Sequence, residues 1–137
     1  MQCISADFAC GAGIVAQFNR RFFVRNELFS IMEGTRGLTW WDEKSHGFAL
    51  LTGLQGLSST KTINLVTKKY YYQKPTIDSL KRALYGAKQL CSAYNIRSIA
   101  MPMIASGLDR LNFDKDVLPT LHQMFADTDT TFIIYRR

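Results

Sequence analysis

A change of period constrains this chain more than any other feature. Leu80, Ala83, Leu84, Ala87, Leu90, Cys91 and Tyr94 recur at three and four, which predicts an amphipathic helix over 77–94. Thr76, just after Pro75, is placed to cap it. The pattern then becomes SIAMPMI over 98–104, an almost unbroken apolar run that predicts a strand buried on both faces. Strand-like segments at 1–6, 37–41, 47–52, 61–68 and in the closing TTFIIYR alternate with helical ones. The helical ones run from Gly13 to about Phe22, from Val24 to Met32, and through Val117, Leu118, Leu121, Met124 and Phe125, with Pro119 in the first turn. Such alternation predicts an α/β fold with a mainly parallel central sheet covered on both sides. At 137 residues the chain is expected to be one domain, 1–137.

Charge and cysteine usage narrow the function classes. Lys and Arg number 17 against 11 Asp and Glu, a net charge of +6 that favours phosphates, nucleotides or nucleic acid as partners. The three cysteines, Cys3, Cys10 and Cys91, make no disulfide framework, which points to a reducing compartment, cytoplasmic or nuclear. With only His46 and His122 and no Cys-x-x-Cys spacing, no metal site and no cofactor are expected. The first residues lack the pattern of a signal peptide and no apolar run reaches membrane length, so neither leader, membrane span nor membrane partner is expected.

Chemistry in such a sheet belongs beyond the carboxyl ends of the strands, and three stretches meet that condition. Ser5-Ala6-Asp7 leads into Cys10-Gly11-Ala12-Gly13-Ile14, a strand-to-helix turn where glycines allow close approach to a phosphate and a helix N-terminus offers free N–H groups. Taken alone, a Gly-x-Gly is more often an ordinary tight turn. Ile104-Ala105-Ser106-Gly107-Leu108-Asp109-Arg110 has the same architecture. Asp109 there would be an acid or base, or orient a ribose hydroxyl, unless it merely pairs with Arg110 or caps a helix. The third stretch is NLVTKKYYYQKP, where a strand ends in Lys68 and Lys69 and then three tyrosines. A partly desolvated lysine becomes a nucleophile; the plainer reading is two solvated lysines, with Tyr70, Tyr71 and Tyr72 half core and half surface.

Together, ISADFACGAGIVAQF, LVTKKYYYQKPT and MPMIASGLDRL resemble the three signature segments of a macrodomain, in its branch of terminal ADP-ribose protein glycohydrolases. The likeness runs in the same order along nearly the whole chain, through the final TFIIY. It implies a three-layer α/β/α sandwich with a mixed, mainly parallel sheet and an ADP-ribose cleft at one end. Gly11, Ala12, Gly13 and Ile14 would contact the diphosphate and distal ribose. Ser106, Gly107 and Leu108, after Ile104, would form a second phosphate loop, and Ser5, with Asp7 beside it, would lie near the ribose. Lys68 would attack the anomeric carbon of the distal ribose and Asp109 would help resolve the adduct. Strand alternation sends Lys68 and Lys69 to opposite faces, and the motif's register selects Lys68. The implied partner is ADP-ribose on protein, ester-linked to Glu or Asp, or on nucleic acid; oligomeric state is unreadable.

The match departs from the pattern in places. The family's usual first strand, with an aspartate for the adenine amine, is expected to be missing because this sequence opens on QCIS; either the protein is short by nature or the adenine is held otherwise, as by stacking on an aromatic such as Phe8 or Tyr135. Ala6 stands where an acidic residue is expected, and 34–60 matches poorly, with Trp40, Trp41 and Phe48 read as core ahead of the alternative that the Trp pair marks a partner surface. Two other functions stay open: a reader that binds ADP-ribose without hydrolysis, and a degenerate macrodomain that binds nucleic acid through its charge and Tyr70–Tyr72.

Overall fold

The computed structural model describes residues 1–9, 13–22, 24–32, 48–53, 60–104 and 111–136, and of 13–15 and 18 the backbone alone. The elements are β1 (Gln2–Ser5), α1 (Gly13–Phe22), α2 (Val24–Ile31), β2 (Phe48–Thr52), β3 (Thr62–Lys68), α3 (Ile77–Tyr94), β4 (Ser98–Pro102), α4 (Leu118–Phe125) and β5 (Thr131–Tyr135). The expected strand over 37–41 lies outside the described residues, as do Trp40 and Trp41.

β3 is the centre of the sheet. It runs parallel to β1 on one side and antiparallel to β2 on the other, while β4 and β5 form a second, parallel pair. The nitrogen of Met1 donates to the carbonyl of Ala100 at 2.9 Å, tying the β1 edge to β4. On one face α3 and α4 close over Leu51, Ile63, Leu65, Ile99 and Met101. On the other, Val24 and Leu28 of α2 meet Ile4, Ala6, Phe8 and Val66. Helices on both faces of a mixed, mainly parallel sheet are the three-layer arrangement expected.

The burial of individual strands corrects the sequence reading. The apolar run at 98–104 is a strand only to Pro102, and it alternates: Ile99 and Met101 are buried, Ser98 and Ala100 exposed. The strand buried throughout is β3, where every residue from Thr62 to Thr67 is inaccessible despite the polar Thr62, Asn64 and Thr67. Position in the sheet decides this, because β3 has a strand on each side and a helical layer on each face. Its polar groups are tolerated where they are paired. The Asn64 side chain accepts from Gln2 Nε2 at 2.8 Å and donates toward the Leu50 carbonyl and Thr52 Oγ1, both at 3.1 Å. One amide thus links all three strands.

Local signals fix α3. Thr76 accepts from the Ser79 N–H at 3.0 Å, and Ser79 Oγ accepts from the Thr76 N–H at 2.9 Å, a reciprocal capping pair. Asn95 ends the helix in the left-handed region, with φ of 54°. Gly86 lets α3 lie close on β2, since a Cβ there would come within 3.0 Å of the Ala49 nitrogen. Pro119 sits in the first turn of α4, as expected, after one π-helical turn over Phe113–Val117. Among the described residues no helix is long and apolar enough to cross a membrane.

Candidate functional site

Because β1 and β3 are parallel neighbours, the residues that follow them emerge side by side. The pairing is regular from Gln2 opposite Asn64 to Ile4 opposite Val66, and then slips, so that Ser5 stands opposite Lys68. One step along β1 spans two along β3, and Thr67 is the extra residue of a bulge. Val66 points into the α1–α2 side, and plain alternation would send Lys68 the same way. The bulge breaks that count and aligns Lys68 with Ser5 instead. Past the strand ends two more backbone bonds join the exits: the Ala6 N–H donates to the Lys68 carbonyl at 2.8 Å and the Asp7 N–H to the Lys69 carbonyl at 3.1 Å.

Asp7 is the fastener of this strand end. One carboxylate oxygen accepts from the Ser5 hydroxyl and from the Ala9 N–H, and the other from the Tyr71 N–H at 3.1 Å. A single carboxylate therefore holds the exit of β1 to the turn after β3. Charged acceptors make such bonds about twice as strong as neutral ones. Lys68 and Lys69 are both half-buried, and the Lys69 ammonium lies 5.6 Å from the centre of the Tyr70 ring.

The chain next enters a left-handed backbone at Phe8, with φ of 53°, unusual for a bulky residue. Its ring and its carbonyl are both held. The Phe8 ring packs edge-to-face on Phe29 at 5.3 Å, and Arg25 Nε donates to the Phe8 carbonyl at 2.8 Å with its guanidinium over Phe29. Phe8 is only 3% exposed, which corrects its candidacy as an adenine platform: its ring already belongs to the core. Tyr135, at the end of β5, is exposed. α1 then begins at Gly13 with no acidic residue in its first turn and with Arg20 and Arg21 in its last. Its amino end is thus electropositive, with no carboxylate on its first turn to answer it.

Of the residues picked out in the sequence, the structure brings Ser5, Asp7 and Lys68 together at one strand end. Gly13 and Ile14 open α1. Ile104 has its side chain buried in the larger core cluster. Gly11, Ala12, Ser106, Gly107, Leu108 and Asp109 lie outside the described residues. The sequence reading missed the bulge at Thr67, the bridging role of Asp7 and the brace from Arg25. The Ser-x-Asp spacing of Ser5 and Asp7 was the available clue to the second, while the other two depend on partners remote in the chain.

Comparison with known proteins bears on the family and the fold. The Macro domain family profile matches residues 9–117. Among characterised proteins, the bovine (Bos taurus) "ADP-ribose glycohydrolase OARD1" is 29% identical over 135 residues, covering 98% of this chain and 79% of the bovine protein. Among solved structures, the macrodomain of Mycobacterium tuberculosis DarG superposes with a TM-score of 0.74 at 22% identity, over 98% of this chain and 85% of that one. Thermosipho africanus DarTG in complex with ADP-ribose superposes with a TM-score of 0.68 at 17% identity, over 98% of this chain and 36% of the other.

Proposed function

The chain belongs to the Macro domain family, and from that premise we propose that it binds ADP-ribose and hydrolyses its bond to a modified group, with Lys68 as nucleophile and Asp109 as acid and base. The observation that carries the reading is the slip in register, which sets Lys68 level with Ser5 where the two parallel strands end. The relative with the glycohydrolase name, alike over nearly the whole chain, supports the reaction class.

The chemistry follows from the groups. The electropositive start of α1 suits a diphosphate. The neutral Lys68 amine attacks the anomeric carbon of the distal ribose and forms a C–N bond as the bond to the leaving oxygen breaks. In an ester-linked substrate the leaving group is a carboxylate of Glu or Asp. Asp109 then takes a proton from water, which attacks the same carbon and releases the lysine. The net change is addition of one water across the bond, giving free ADP-ribose and the unmodified group. ADP-ribose on a nucleic acid would be cut at the same carbon.

The test is release of ADP-ribose from an ester-linked peptide and from a modified oligonucleotide, with calorimetric titration of free ADP-ribose alongside. Lys68→Ala is expected to lose turnover on whichever substrate is cut while still binding ADP-ribose, and Lys69→Ala to keep turnover. Full activity in Lys68→Ala would refute the lysine mechanism. Binding without turnover of either substrate by the unaltered protein would make it a reader.

A further inference from the structure

The three tyrosines after Lys69 do not join the core. Tyr71 is 65% exposed and Tyr72 is 68% exposed, yet neither ring is loose. Tyr70 and Tyr72 stack with centroids 5.4 Å apart and planes 3° from parallel, and Tyr71 meets Tyr72 edge-on at 5.5 Å. The turn beneath them is locked at both ends. The Tyr71 N–H is held by Asp7, the Tyr70 N–H donates to Gln73 Oε1 at 2.8 Å, and the Gln73 N–H returns to the Tyr70 carbonyl at 3.0 Å.

We propose that Tyr71 and Tyr72 form a stacking platform for an unpaired base of single-stranded nucleic acid, with Lys69 and Lys74 taking the flanking phosphates. Three properties select this partner. The rings are pre-organised, so little conformational freedom is lost on binding. Cations flank them: Lys69 sits on the Tyr70 ring, the exposed Lys74 lies two residues past Tyr72, and the whole chain carries +6. Asp7, the carboxylate bonded to the turn, spends its oxygens on the Ser5 hydroxyl and backbone N–H groups. Aromatic faces interleaved with lysines bind single strands with little sequence preference, because every base has a π-face, which stacking inside a duplex covers. An acidic protein surface would use the lysines but not the rings. The platform begins three residues beyond Lys68, so a strand laid on it would pass beside that strand end. The proposal itself does not rest on the hydrolase reading.

The experiment is fluorescence anisotropy of the full chain with a labelled 12-nucleotide single strand of mixed sequence, unmodified, over a range of salt. The same oligonucleotide as a duplex is the comparison. Single-strand affinity is expected to exceed duplex affinity and to fall as salt rises. Tyr71→Ala/Tyr72→Ala should weaken it by about tenfold or more, a magnitude typical of one or two lost stacking contacts. Tyr71→Phe/Tyr72→Phe should retain it. Both rings lie at the surface, and circular dichroism checks that each variant is folded. Failure of the unaltered chain to bind, equal binding of duplex, or unchanged binding by the double alanine variant would each overturn the platform. Titration of free ADP-ribose into the same proteins tests the other reading separately.

Discussion

Asp7 shows how much rests on one side chain. Its carboxylate joins Ser5, Ala9 and Tyr71, residues from two strand ends, and all three donors are local to the site. Asp7→Ala is expected to cost about 2 kcal/mol of stability, the range for hydrogen bonds to a charged group, and to weaken ADP-ribose binding by letting the two turns part. Asp7→Asn should be milder for stability, since an amide oxygen still accepts one set of donors while its nitrogen cannot accept from the other. Urea unfolding and calorimetric titration measure the two effects, and a fully stable Asp7→Ala would show that the turns hold without it. Thr67 is the converse. Its hydroxyl is buried in the bulge with no partner among the described residues. Thr67→Val is therefore expected to leave the melting temperature unchanged or raise it, because an unpaired buried hydroxyl costs more than a methyl. A clear loss of stability would mean the hydroxyl is satisfied after all.

Elements are where the sequence was most readable. The three-and-four spacing gave α3 its limits, and the neighbouring Pro75 and Thr76 its start, because helix caps are decided by residues adjacent in the chain. Thr76→Ala is expected to lower stability by about 1 kcal/mol, read from the urea midpoint, with Thr76→Ser close to neutral. Equal stability of Thr76→Ala and the unaltered chain would place the helix start under tertiary control. Strands were less legible. The apolar β4 proved half exposed and the more polar β3 buried from Thr62 to Thr67, since burial follows a strand's place in the sheet rather than its own composition. The Gln2–Asn64–Thr52 network that makes this possible joins residues far apart in the chain.

At the scale of the whole molecule, the larger core carries a titratable marker. Cys91, on the buried face of α3, has its thiol pushed up from the ordinary value of 9.0 by desolvation. The folded state keeps the proton where the unfolded chain loses it, so ionisation favours unfolding. The thiol's contribution is fully present below pH 9 and is lost as pH rises beyond it. The stability difference between the unaltered chain and Cys91→Ala is expected to shrink with rising pH across that value; a difference constant with pH would refute it. The sequence by itself determined the α/β class, the order of the described elements, the limits of α3 and the motifs that mark the family, because these depend on periodicity and on neighbours along the chain. Only the tertiary structure decided that Lys68 lies level with Ser5, that Asp7 clasps the tyrosine turn, that Phe8 is core and not a ligand platform, and that β3 is the innermost strand. Each of these is a pairing between residues distant in sequence, and register between two strands is a property of the pair that neither strand carries alone.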